Sequence, residues 1–148
     1  MSLPAHIQPL DTSPLDVRLW RVNLDVSLEA SDLAMLSTAE QDRAARFRFV
    51  RDARRYGVSH VALRQVLAQA LGLADPAQID YTHNAHGKPQ LTTGGLHFNM
   101  SHSGDWALIG VSTSHALGVD LEVFKPMPDA QDLAQRHFTP AEYSAYLA

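Results

Sequence analysis

The chain contains no cysteine, which excludes a disulfide scaffold. No apolar run approaches the roughly 20 residues that a membrane-spanning helix needs, so nothing reads as a bilayer span. The first fifteen residues hold no Lys or Arg and no apolar core segment, so no secretory signal is expected. Excess charge is also lacking: 12 basic against 16 acidic residues leave a net −4, and 45% of the chain is apolar. That balance excludes an intrinsically disordered chain, which needs low hydrophobicity and high net charge. A length of 148 residues suits one domain with a real core. These absences together predict a soluble, cytoplasmic protein without a membrane partner.

What charge there is lies unevenly. Arg43, Arg46, Arg48, Arg51, Arg54 and Arg55 place six of the twelve basic residues in thirteen positions. A local basic cluster on a net-acidic chain points to a specific anion site. Nucleic-acid binding through Arg43–Arg55 is an alternative, opposed by the negative total and by only 7% aromatic residues. A solvated helix face is the plain alternative.

Hydrophobic spacing gives a coarse map. Residues 1–15 carry three prolines and no periodicity, and read as an irregular lead-in. Residues 16–26 alternate as a strand. Ser31-Asp32 caps a short helix, and residues 38–50 read as a second with Thr38 as its cap. Arg51 to Gly72 is the strongest helix, with Tyr56, His60, Leu63, Leu67 and Leu71 on one face and glycine at its stop. Two short strands, Ile79–His83 and Lys88–Leu91, flank an Asn84–Gly87 turn. Further strands are expected at Leu96–Met100, Trp106–Val111 and Leu117–Val123. Thr139-Pro140-Ala141-Glu142 is a helix capping box with proline at the first helical position. Trp20, Trp106, Phe47 and Phe49 are expected in the core.

Three short motifs carry chemistry. In Asp120-Leu121-Glu122, a strand's period of two puts both carboxylates on one face. Like charges so placed call for a cation, and Mg²⁺ held by one or two carboxylates plus substrate phosphates answers that need. Mn²⁺ suits the same oxygens. A solvated strand face is the alternative. Asn99-Met100-Ser101-His102-Ser103-Gly104 reads as a turn rich in hydroxyls, imidazole and free N–H groups, all suited to phosphate oxygens. A Ser-His nucleophilic pair and a plain polar hairpin compete with that reading. Gly87-Lys88-Pro89 offers close backbone approach, a point charge and a stiff exit, without the pattern of a Walker motif. His83 and His86 sit three apart in a turn with no third ligand nearby, so exposed histidines are expected there in preference to zinc.

In this order, Gly87-Lys88-Pro89, Phe98 to Gly104 and Gly118-Val119-Asp120-Leu121-Glu122 resemble the 4′-phosphopantetheinyl transferases. The likeness is to the larger, pseudo-dimeric type that primes peptide and polyketide synthases. Leu36 to Arg55 resembles that family's arginine-rich helical entry, and Phe138 to Tyr143 its later helix start. The resemblance implies an α+β fold: a small antiparallel sheet packed with helices, in two similar halves about a pseudo-twofold, with the site between them. Residues 16–115 would form the N-terminal half, and 116–148 the start of a C-terminal half. It implies coenzyme A as substrate, Mg²⁺ as cofactor and an apo acyl or peptidyl carrier protein as partner. Asp120 and Glu122 would hold the metal, with His102 beside them as a catalytic residue. Ser101 and His102 would contact the pyrophosphate, Lys88 and Pro89 the adenine end, and Arg55, Arg43 and Lys125 the phosphates.

One departure stands out. The family carries a downstream Trp-x-x-Lys-Glu motif whose Glu is a third metal carboxylate and candidate base. Residues 123–148 hold only Lys125 and Glu142 of those types, and neither fits. The second half is therefore expected to be incomplete. An apolar face left without its partner predicts self-association, or fraying beyond about residue 125. A coenzyme A or carrier-protein binding module without chemistry is the corresponding alternative function.

Overall fold

The computed structural model describes residues 2–148. Its centre is a four-stranded antiparallel sheet and one long helix. Strands β1 (Ile7–Leu10), β2 (Arg18–Asn23), β5 (His97–Ser103) and β6 (Trp106–Ser112) lie in the order β1-β2-β6-β5. Two short helices, α1 (Ala30–Leu33) and α2 (Thr38–Ala45), lead into α3 (Val50–Leu71). A separate hairpin, β3 (Tyr81–His83) with β4 (Pro89–Leu91), follows. Helices α4 (Ala130–His137) and α5 (Pro140–Leu147) end the chain.

The sheet sorts its side chains by alternation. Trp20, Val22, Phe98, Ala107, Ile109 and Val111 point to one side and are buried. There they meet Val58, Ala62, Val66 and Leu67 of α3, recurring at helical spacing. Gly72 ends α3 in the left-handed conformation at φ 69°, and its N–H returns to the Ala68 carbonyl.

Several expectations need correction. Residues 1–15 are not irregular throughout: β1 pairs with β2, and Ile7 joins the core. Pro9 is tolerated because β1 is an edge strand, where no partner needs its missing N–H. Helix α1 is capped by Glu29 with Asp32 in reciprocal contact, two residues before the expected Ser31, and α2 by Ser37, one residue before the expected Thr38. Helix α2 stops at Ala45, and residues 46–49 form a loop that leaves both Phe47 and Phe49 exposed, outside the core. Trp106 is also partly exposed, because it sits on the sheet side away from α3. Strand β5 continues through Ser103, so the turn is Gly104-Asp105 alone.

The largest correction concerns residues 117–123, which form no strand. They cross the sheet face opposite α3 as a strap, with Leu117 and Val119 over Gly110. Past Val123 the chain folds into α4 and α5. The expected capping box of α5 is present in both directions between Thr139 and Glu142. Phe124, Met127, Phe138 and Leu147 are exposed there.

Truncating Leu67, which is fully buried between α3 and the sheet, is expected to cost about 2–5 kcal/mol in Leu67→Ala. The shift of a urea unfolding midpoint measures it.

Candidate active site

Two regions bring the predicted site residues together, on opposite sides of the sheet. The first is a cleft of about 820 Å³ between α2, α3 and the β3–β4 hairpin. Arg43, Tyr56, His60, His83 and Pro89 line it. A buried ion pair forms its floor. Arg64 Nε donates to both Glu40 oxygens at 3.1 and 3.0 Å, and its Nη1 reaches the Ile79 carbonyl at 2.7 Å. The Arg64 guanidinium also lies over the Tyr81 ring at 5.2 Å. One side chain thus ties α2, α3 and the hairpin, and sets where Arg43 stands on α2.

His60 faces the cleft with its ring stacked on Tyr56 at 3.9 Å. Its Nδ1 lies 2.9 Å from the Tyr56 carbonyl. Burial pushes its pKa below the ordinary value, and His102 is near enough for its charge to oppose protonation further. His102 therefore belongs to the helix side of the sheet.

At the N-terminal end of α3, Arg55 Nε donates to Asp105 Oδ1 at 2.9 Å. That hydrogen bond holds the Asp105 carboxyl below the usual carboxylate range. Arg54 also approaches Asp105, at 3.7 Å, and pairs with Asp25 at 3.1 Å. Arg55 is thereby oriented by the β5–β6 turn. Arg43, Arg46 and Arg48 have no carboxylate partner among the described residues.

The second region is the strap. Asp120 and Glu122 are exposed there, while Val119 and Leu121, which alternate with them, are half-buried. Ser101 and Ser103 stand beside them: Ser101 Oγ is 3.4 Å from Asp120 Oδ1, and Ser103 Oγ is 3.5 Å from Glu122 Oε2. Lys88 Nζ donates to the Leu117 carbonyl at the start of the strap. Ser101 and His102, neighbours in a strand, thus point to opposite sides of β5 and are not brought together. Lys125 follows on the exposed stretch.

Two carboxylates offer hard oxygen donors, which fit a magnesium ion that keeps water and substrate phosphate in its remaining positions. Among the described residues, no group of three or more His, Asp or Glu is placed to hold a metal. Glu142 is committed elsewhere: its Oε2 accepts the Thr139 N–H at 2.8 Å in the α5 cap, which lowers its pKa.

A family profile described as "4′-phosphopantetheinyl transferase, N-terminal" matches residues 25–114. The chain belongs to the 4′-phosphopantetheinyl transferase family. It is similar to the 4′-phosphopantetheinyl transferase HetI of a Nostoc strain, 40% identical over 134 residues, covering 86% of this chain and 56% of the relative. A 4′-phosphopantetheinyl transferase of Bacillus subtilis is 35% identical, covering 86% and 58% respectively. Sfp of Bacillus subtilis is 32% identical, covering 89% and 59%. The chain therefore spans about half the length of the curated relatives it matches. The family is one of transferases, and the α+β architecture with small antiparallel sheets agrees with it. No helix among the described residues is long and apolar enough to cross a membrane.

Sequence reasoning missed Glu40, Arg64 and Asp105 as parts of these regions, and it named Asn99 and Ser103 as members of a phosphate-suited turn, not as partners of residues 117–123. Asn99 and Ser103 carried a legible signal: Asn99-x-Ser101-x-Ser103 is a polar row at strand spacing. Glu40 and Arg64 are 24 positions apart, and no local pattern pairs them.

Two outcomes are expected. Glu40→Ala leaves Arg64 charged and unpaired in the interior, and is expected to cost roughly 3–5 kcal/mol in a denaturant titration. His60 has a folded-state pKa below its ordinary 6.5, so the unfolded chain binds its proton more readily. Stability therefore falls as pH drops through and below 6.5. Unfolding midpoints at neutral and mildly acidic pH measure that slope, and His60→Gln is expected to flatten it.

Proposed function

We propose that this protein takes part in transferring the 4′-phosphopantetheine arm of coenzyme A to a serine of an apo acyl or peptidyl carrier protein. The observation that carries the reading is the exposed Asp120–Glu122 pair, braced by Ser101 and Ser103, in a chain of a transferase family. The serine oxygen forms a bond to the phosphorus that bears the pantetheine. The bond from that phosphorus to the bridging oxygen breaks, and 3′,5′-ADP leaves with the electron pair. The serine proton passes to a base or to water.

Asp120 and Glu122 would hold Mg²⁺, with Mn²⁺ the other ion suited to oxygen donors. When bound, that ion neutralises charge on the pyrophosphate. Arg43 supplies a free guanidinium at the cleft and Pro89 an apolar wall, which suit the phosphates and the adenine end. Arg55, oriented by Asp105, keeps further N–H donors for an anion. His102 is the candidate hydrogen-bonding group at the helix side. Ser101 and Lys88 act through the strap as well as through any ligand contact. In this reading residues 16–115 form one half, residues 116–148 begin a similar half about a pseudo-twofold, and the site lies between them.

Exposed Phe124, Met127, Phe138 and Leu147 support self-association of this chain through its C-terminal stretch. Sedimentation at roughly 50 μM is expected to show more than monomer; a single monomeric species contradicts that part.

The test of transfer is the intact mass of an apo carrier protein after incubation with this chain, coenzyme A and Mg²⁺. A gain of one phosphopantetheine is expected, falling roughly a hundredfold in rate for Asp120→Asn. No gain, with the same carrier modified by an active transferase, contradicts transfer by this chain and favours the binding-module alternative.

A further inference from the structure

The strap needs partners for its backbone, because it has no β-ladder. It finds them in side chains. The N–H of Val119 donates to Asn99 Oδ1 at 2.8 Å, that of Leu121 is shared between Ser101 Oγ at 3.2 Å and Asp120 Oδ1 at 3.0 Å, and that of Val123 donates to Ser103 Oγ at 3.2 Å. The offset is 20 residues each time. Strap and β5 therefore run in the same direction and in register, two residues per step. Lys88 fastens the preceding carbonyl, that of Leu117. Gly110 makes the close seat possible: a Cβ there would come within 2.8 Å of Leu117 Cδ1 and Val119 Cγ1.

We propose that Asn99, Ser101 and Ser103 form a side-chain ladder that carries residues 117–123, and that Ser101 and Ser103 are positioning residues for the Asp120 and Glu122 carboxylates. A hydroxyl accepts one hydrogen bond and still has a proton to give. Each serine uses both capacities in the same way. It accepts the N–H of one strap residue and reaches the carboxylate of the residue before it, at 3.4 Å for Ser101 and 3.5 Å for Ser103. The third rung has a different chemistry and a matching reason. Asn99 accepts through its amide oxygen, and the residue before Val119 is Gly118, which has no carboxylate to receive a proton. Serines stand where the residue before the bonded strap amide is a carboxylate, and the amide side chain stands where it is glycine. The ladder itself is independent of function. Its consequence for catalysis rests on the reading of Asp120 and Glu122 as metal ligands.

The experiment is solution NMR on the intact chain, comparing Ser101→Ala and Ser103→Ala with Ser101→Thr and Ser103→Thr. Two quantities are read: amide exchange of Val119, Leu121 and Val123, and the χ1 couplings of Asp120 and Glu122. Ser103→Ala is expected to speed exchange of the Val123 amide about tenfold, the worth of one hydrogen bond, and Ser101→Ala to speed Leu121 by less, because Asp120 Oδ1 also accepts that N–H. Each alanine is also expected to average the χ1 coupling of its own carboxylate residue, Asp120 for Ser101 and Glu122 for Ser103. Threonine, which keeps the hydroxyl, restores both. Exchange of the Val66 amide reports that the core is intact. Unchanged exchange and couplings in the alanine variants overturn the proposal, as does a threonine that behaves like alanine. Mn²⁺ uptake by the wild-type chain and by Asp120→Asn is measured separately. Equal uptake overturns the metal reading, while the ladder stands or falls on the exchange and coupling data.

Discussion

A four-stranded sheet has two faces, and α3 covers one of them. The rest of the structure depends on how that packing leaves the other. The face against α3 is apolar and closed by Val22, Ile109, Val111 and their helix partners. The opposite face carries Leu19, Leu108 and Gly110 beside Asn99, Ser101 and Ser103. Such a mixed face takes a cover that brings backbone polar groups along with apolar side chains, and the strap is that cover. Leu117 and Val119 fill the notch over Gly110, the Leu117 carbonyl accepting from Lys88 and the Val119 N–H donating to Asn99 of β5. Asp120 and Glu122 stay exposed, each carboxylate with a β5 serine hydroxyl beside it.

The same division explains why the predicted site residues fall into two groups. Arg43, Pro89 and His102 belong with α3 and the hairpin. Asp120, Glu122 and Ser101 belong with the strap. Arg55 sits between, on the first turns of α3, tied by Asp105 to the turn that joins β5 to β6. The buried Glu40–Arg64 pair keeps the cleft side rigid, since replacing a single partner would strand a charge in the interior.

Much of this was legible from the residues, and the failures have physical causes. Helix α3 was plain because its apolar positions recur over many turns and Gly72 marks its end. The α5 cap was plain because a capping box is local. Strand β1 was hidden by prolines that only an edge position tolerates, and edge position is a tertiary fact. Residues 117–123 alternate as a strand would, yet alternation specifies an extended chain and not its partner. Whether that chain pairs with backbone or with side chains is decided by β5, some 20 residues earlier. The Asp120–Glu122 pairing survived that error, because period two holds for any extended chain. The joint placement of Ser101 and His102 did not survive, since a strand sends neighbours to opposite faces.

The proposed role of Asp120 and Glu122, as divalent-cation ligands for coenzyme A, rests on the strap presenting the two carboxylates together. Paramagnetic broadening by Mn²⁺, recorded with coenzyme A present, tests it most directly. The account predicts that signals of Ser101, Ser103 and residues 119–123 broaden first, and that the effect is lost in the Asp120→Asn, Glu122→Gln double variant. Broadening centred elsewhere, or unchanged in that variant, would contradict it.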